Sequence, residues 1–430
     1  MLRRAAANVL NAVSGSRGGV ALATTIRTAT IRRILDSRGN ATVEVEVTSK
    51  AAAARAAAPS GASTGATEVR AFPDGGAEAS VRAFRRRVAP KLVGMDARDQ
   101  EAVDAMLHEA DGTGDFSALG GNAAVAASLA AARLAAADGG LPLWAYIAGG
   151  GRAKPAFPGP MGNVIGGGAH AVGGTDIQEY LAFTRKAPPS KSIFANALVH
   201  RLVKEALKER FPGKVIGKGD EGAWIAPTTN DKAMQLLARC CERAAETTGL
   251  TVVPALDFAA TEFFRGGRYR YRQGALTTDE QVEYVEMLVD AHGIASVEDP
   301  LAQDEFGAFA DLTKRIGSKC LVVGDDIFTT NVDRIRRGIK EGSANAVLIK
   351  PNQIGTLTDT LAAVNLAKSA GWETVTSHRS GETTDDTIAH LAVAFGSIGI
   401  KTGAVGGERT AKLNELVRIE EAAAARAPRA

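Results

Sequence analysis

The chain has 430 residues, 45 % of them hydrophobic and 23 % charged, with a formal net charge of +3. That length favours two domains over one core, and the composition is ordinary for a globular enzyme. A charge so near neutrality argues against a nucleic-acid or membrane-surface partner. The most apolar helical stretch, Ala123 to Ala132, is stopped by Arg133, well short of the roughly 20 residues that cross a bilayer. Cys240, Cys241 and Cys320 show no CxxC spacing, so a disulfide framework or zinc site is not expected. Such usage fits a reducing, cytoplasmic compartment.

Residues 1–25 read as an extension. No acid occurs before Asp36, while Arg3, Arg4, Arg17, Arg27, Arg32 and Arg33 do. M-L-R-R-A-A-A-N-V-L-N-A-V has the basic amphipathic pattern of a mitochondrial or plastid presequence, with an unstructured extension as the plainer alternative. Folding is expected to begin near Ile26. T-V-E-V-E-V puts Val43, Val45 and Val47 on one face and Glu44 and Glu46 on the other, a strand with one wet side. Helical stretches follow at Val81 to Leu92 and Asn122 to Ala137. The glycines at 149–151 are a linker, which gives a first domain over 26–152 and a second over 153–430.

Two glycine-rich stretches open the second domain. G-N-V-I-G-G-G-A-H-A, around His170, reads as a flexible loop, since no G-x-G-x-x-G follows a strand there. G-K-V-I-G-K-G-D-E-G, around Glu221, lacks the spacing and the Ser/Thr of a phosphate loop. Like S-G-A-S-T-G at residues 60–65, it reads as a mobile loop framed by glycines.

A series then begins. Six short β-prone runs each stop at ionisable or hydroxyl groups: at Asp257, at Glu298-Asp299, at Asp325-Asp326, at Lys350, at Ser377-His378-Arg379-Ser380 and at Lys401. Helical stretches such as Asp279 to Ala291, Phe306 to Ile316 and Thr356 to Ser369 separate them. This alternation predicts an α/β chain with a β/α barrel, in which functional groups sit at the C-terminal ends of the strands. E-E-A-A-A-A-R-A-P-R-A ends the chain as a fraying helix and tail.

Asp257, Glu298 and Asp325 supply carboxylates with no histidine or cysteine in their segments, the donor chemistry Mg²⁺ prefers. One such acid alone is more often a cap or a surface charge. Three at the ends of apolar runs form a cluster that would repel itself without a cation. Lys350 follows A-V-L-I, so its stem leaves a buried strand. Burial beside other cations would ease loss of its proton and make it a general base; a lysine paired with a barrel carboxylate is the alternative. Arg379 and Ser380 offer a planar fork and a hydroxyl suited to phosphate or carboxylate, although Ser380 would equally serve as a helix cap.

From about Ile26 to Glu421 these segments resemble the enolase family. The resemblance rests on I-L-D-S-R-G-N near Asp36, P-S-G-A-S-T-G, G-G-A-H-A, Q-E-Y, G-D-E-G, L-D-F-A-A-T-E-F, V-E-D-P, G-D-D, L-I-K-P-N-Q-I-G-T, S-H-R-S-G-E-T and I-K-T-G. G-K-G-D-E-G-A-W and G-E-R-T-A-K-L-N-E-L are closer to its archaeal-type branch. The resemblance implies a smaller α+β domain followed by an enolase-type β/α barrel with an antiparallel start, and a homodimer or homo-octamer. It implies interconversion of 2-phosphoglycerate and phosphoenolpyruvate with two Mg²⁺ ions, a lysine base and an ene-diolate. By position, Asp257, Glu298 and Asp325 match ligands of the first ion and Ser63 a ligand of the second. Lys350 matches the C2 base. Glu221, supported by Glu179, matches the acid for the departing hydroxyl. His170 belongs to a loop over substrate, and Arg379, Ser380 and Lys401, with His378 beside them, match substrate contacts.

Departures from the family pattern lie in the loops: G-G-G-A-H-A, D-E-G-A-W, A-V-G-G-E-R, and His390 where an acid is common. A superfamily relative with another proton-abstraction substrate, or a non-catalytic binding protein, are the alternatives. Glu179, Glu221, Ser63 and S-H-R-S speak against the first, and the intact catalytic set against the second.

Overall fold

The computed structural model describes residues 23–61, 65–150, 153–171 and 173–426. Residues 1–22, with the presequence reading, and Ser63 lie outside them. Thr24 already belongs to the fold, since its amide donates to Asp96 Oδ1 at 3.0 Å.

T-V-E-V-E-V is the strand Ala41–Thr48, central in an antiparallel sheet with Thr28–Leu35 and Ala53–Ala57. Val43, Val45 and Val47 are fully buried, and on the other face Arg32 pairs with Glu44 and Glu46 at 2.5 and 3.2 Å. The valine face packs on the helix Gly121–Asp138. That helix is covered almost all round, as expected of one apolar on every side. The helix expected over Val81 to Leu92 is two, Gly76–Arg87 and Ala89–Leu92. Pro90 has no N–H to continue the first helical ladder, so a second, short helix starts there.

The second domain is a closed barrel of eight strands: Gly159–Gly166, Glu179–Arg185, Thr251–Asp257, Ser296–Glu298, Leu321–Gly324, Ala346–Ile349, Glu373–Ser377 and Gly399–Lys401. They follow one another around the barrel, and the eighth pairs with the first. All six runs expected from the sequence are strands here. The second strand runs antiparallel to both neighbours. Met161, Leu181, Phe183, Ala255, Val323, Leu348 and Val375 form a buried cluster contributed by these strands.

The glycine-rich stretch before His170 is only partly a loop. Gly162 to Gly166 complete the first strand, buried along its whole length. A strand covered on both faces shows no alternation, so its pattern could not be told from a loop. Thr356 is the cap rather than the first residue of its helix: its hydroxyl accepts from the Asp359 amide in front of Leu357–Ser369.

The two domains are tied at several points. Asp104 accepts from the Thr358 amide at 2.9 Å and from its hydroxyl at 2.6 Å, and Ser60 and Gly381 exchange backbone hydrogen bonds of 2.7 and 2.8 Å. Gly355, at φ 100°, lies against the Phe116 ring, which a Cβ would approach to 2.6 Å. Backbone and space both demand glycine there. Gly355→Ala is expected to cost about 1–3 kcal/mol by overpacking, read as a lower denaturant midpoint. An unchanged midpoint would show that Phe116 yields freely.

Candidate active site

The barrel topology gathers the ionisable residues at one rim. Five parallel strands, the third to the seventh, carry Asp257, Glu298, Asp325, Lys350 and Ser377–Ser380 at or just beyond their C-terminal ends, and the eighth ends at Lys401. The antiparallel second strand brings its first residue, Glu179, to the same rim, where it pairs in register with Asp257. Glu221 comes from a turn before Trp224. Gly222, at φ 78°, closes that turn, and its Cα faces the Val405 carbonyl so closely that a Cβ would lie 2.7 Å from it. Glu221 is thereby buried, and Asn163 donates to its Oε2 at 3.1 Å.

One cleft is lined by Gln178, Glu179, Glu221, Asp257, Asp299, Asp325, Asp326, Lys350, His378, Arg379, Ser380 and Lys401. Glu298 joins them through Lys401. The Lys401 ammonium lies 2.7 Å from Asp257, 2.9 Å from Glu298 and 3.2 Å from Glu179. Lys350 pairs with Asp325, whose other oxygen accepts from Gln353 at 2.9 Å. His170 ends a one-turn helix, Gly168–His170, in the loop between the first two strands.

These charges govern protonation. Burial and the Asp257 charge push Glu298 up to about 8, and burial with the Asp325 charge pushes Asp326 up to about 7. Burial, then the Glu221 charge, raises Glu179 well above the ordinary carboxylate range. Burial takes His378 down to about 4, so its ring is neutral near pH 7. Lys350 differs from expectation. Burial is the largest single influence and lowers its pKa, but the touching Asp325 carboxylate and Glu298 together leave the net direction upward, as for a lysine paired with a barrel carboxylate.

Several residues of the site escaped the sequence reading. Glu68 holds Arg379 with two bonds of 2.9 and 3.1 Å, and Asn352 adds a third at 3.2 Å. Asp299 accepts the amides of Asp325 and Asp326 at 2.9 and 2.7 Å, one on each carboxylate oxygen. It adopts φ 38°, an uncommon left-handed conformation. The repeated V-E-D and G-D-D pairs were the one available signal for Asp299 and Asp326. Glu68 and Gln353 had none, since their partners are distant in sequence.

The donor set fits a divalent cation. It is oxygen-only, and oxygens of Asp299, Asp325 and Asp326 lie within 4.8 Å of one another among the described residues. Burial first, and neighbouring carboxylates second, disfavour the charged forms of Glu298 and Asp326, a cost that a cation would offset.

Comparison with known proteins agrees with this architecture. Residues 26–147 match the enolase N-terminal domain and residues 154–430 the enolase C-terminal TIM barrel domain. The enolase of Methanothermobacter thermautotrophicus is 48 % identical over 91 % of this chain and 95 % of its own. That of Halorubrum lacusprofundi is 51 % identical over 91 % and 97 %, and that of Halobacterium salinarum 51 % over 93 % and 100 %. The chain belongs to the enolase family.

Asp299→Asn keeps the backbone conformation accessible but turns one acceptor into a donor facing an amide. Titration calorimetry should show divalent-cation affinity about 10–100-fold weaker, as is usual when a partner orienting metal ligands is altered. Unchanged affinity would mean that Asp299 does not hold the Asp325–Asp326 segment for binding.

Proposed function

We propose that the residues of this cleft divide a proton abstraction and an elimination between two walls of the barrel. The reaction is that of the family: the chain is a phosphopyruvate hydratase, a lyase that reversibly dehydrates 2-phospho-D-glycerate to phosphoenolpyruvate in glycolysis and gluconeogenesis. The observation that carries the division is topological. Lys350 follows the sixth strand and Glu179 opens the second, four places round an eight-strand barrel. A base and a carboxylate pair, Glu179 with Glu221, thus face each other across the substrate position.

Lys350 removes the C2 proton. That proton is weakly acidic because its loss loads a second negative charge onto the adjoining carboxylate. Lys401 holds its ammonium where this charge develops. Glu221 gives a proton to the C3 hydroxyl as it leaves as water, and the raised Glu179 beside it keeps a proton within the pair. Arg379 and Ser380 receive the phosphate, the neutral His378 ring stands beside Glu221, and the His170 loop lies over the substrate.

Enolases are metal-dependent. Mg²⁺, two per site, is our assignment, with Asp257, Glu298 and Asp325 holding the first ion and Ser63 contributing to the second. When bound, the ions supply positive charge that stabilises the doubly charged carboxylate and relieves the hold of Asp325 on the Lys350 proton. Our reading of the whole protein is an extension that ends before Thr24, two domains that meet near residue 152, and a homodimer or homo-octamer. It is cytoplasmic unless residues 1–24 direct it to an organelle. Among the described residues no helix is long and apolar enough to cross a membrane.

The two proton-handling roles separate experimentally. Lys350→Ala should lose both dehydration and exchange of the C2 hydrogen with solvent deuterium. Glu221→Gln should lose dehydration by about 10²–10⁴ yet retain exchange. If Lys350→Ala keeps exchange and Glu221→Gln abolishes it, the roles are reversed.

A further inference from the structure

Arg409 sits near the start of the C-terminal helix Gly407–Arg426 and is 0 % exposed. A buried arginine needs partners for its fork. Its Nη1 lies 2.8 Å from His378 Nδ1 and 2.6 Å from the Arg379 carbonyl. Its Nη2 lies 2.6 Å from the Ser380 carbonyl and 3.4 Å from that of Asp220. It therefore spans the two segments that carry His378 and Glu221.

A guanidinium can only donate, so His378 Nδ1 must accept. A neutral imidazole that accepts at Nδ1 carries its proton at Nε2. His378 Nε2 faces Glu221 Oε1 at 3.5 Å, an approach not yet closed to a hydrogen bond, and Asn163 fixes the other oxygen of that carboxylate. A second proton at Nδ1 would point at a cation. The charged groups around the ring are Glu221 from its turn, Arg409 from the C-terminal helix, and Glu382 from the ring's own loop. Lys412 neutralises Glu382 at 2.7 Å, and Glu408 pairs with Arg409 at 3.3 Å. None of these offers Nδ1 an acceptor.

We infer that Arg409 is a positioning residue for one side chain: it locks His378 as the Nε2–H tautomer and aims that proton at Glu221. The consequence for turnover rests on the role given above to Glu221; the tautomer does not. With the proton on Nε2, His378 is a donor toward Glu221 and orients the carboxylate that handles the proton of the departing hydroxyl. With the other tautomer, a lone pair would face a carboxylate oxygen and push it away.

The full chain has six histidines, few enough for long-range ¹H–¹⁵N spectra of histidine-labelled protein, with the His378 signal identified by its loss in His378→Asn. The expected signature is an unprotonated Nδ1 and a protonated Nε2 from about pH 6 to 9. Arg409→Met should populate the Nδ1–H form and lower kcat about 10–100-fold, on the scale known for orienting partners of metal-bound histidines. KM should stay within about twofold, because substrate contacts are kept. Arg409→Lys retains one donor and should keep the native tautomer with a smaller loss. In a His378→Asn background, Arg409→Met should add almost nothing.

A protonated Nδ1 in the unaltered protein overturns the inference. So does an Arg409→Met loss undiminished in the His378→Asn background, which would mean that the residue acts through the carbonyls alone. Should Arg409→Met fail to fold, the unaltered spectrum and Arg409→Lys still decide. If Glu221→Gln proves harmless to dehydration while the Nε2–H signature holds, the reading of Glu221 fails and the tautomer stands.

Discussion

Crowding of like charge at one rim of the barrel is the constraint on which the rest depends. Glu179, Asp257, Glu298, Asp299, Asp325 and Asp326 are all buried there, an arrangement that desolvation and mutual repulsion both oppose. Lys401 and Lys350 offset part of it by inserting ammonium groups among the carboxylates. Burial, with the neighbouring carboxylates second, still holds Glu298 and Asp326 above the ordinary carboxylate range. A bound divalent cation would relieve the same imbalance, so a feature costly to folding also fits a metal.

Barrel topology converts that crowding into directed chemistry. Parallel strands alone would put only their final residues at the rim. Reversing the second strand adds Glu179 there, four places round the barrel from the strand that precedes Lys350. The first domain then closes the arrangement: Glu68 takes Arg379 by a bidentate pair, and the Ser60–Gly381 exchange anchors the segment that leads to Ser63. Each domain thus holds part of the other's site in place.

Much of this was legible in the sequence. Six apolar runs stopping at ionisable groups announced the barrel and its rim, because a buried strand must end where its charged residue reaches solvent or a partner. The alternating valines of T-V-E-V-E-V announced the sheet of the first domain. The first barrel strand was missed because Gly162 to Gly166 are covered on both faces and show no period. Glu68, Gln353, Asn163 and Arg409 were missed because each works through a partner far away in the chain, and contacts of that kind leave no local spacing. Lys350 is buried as expected, but the carboxylates of Asp325 and Glu298 oppose that burial and leave its pKa raised.

We propose that the carboxylate rim holds divalent cations that the reaction requires. Dehydration of 2-phosphoglycerate, followed after exhaustive chelation and then during titration with Mg²⁺, tests it directly. Turnover should vanish in chelator and recover as Mg²⁺ is restored, with Asp325→Asn failing to recover at the same concentrations. Full turnover by the metal-free protein would contradict it.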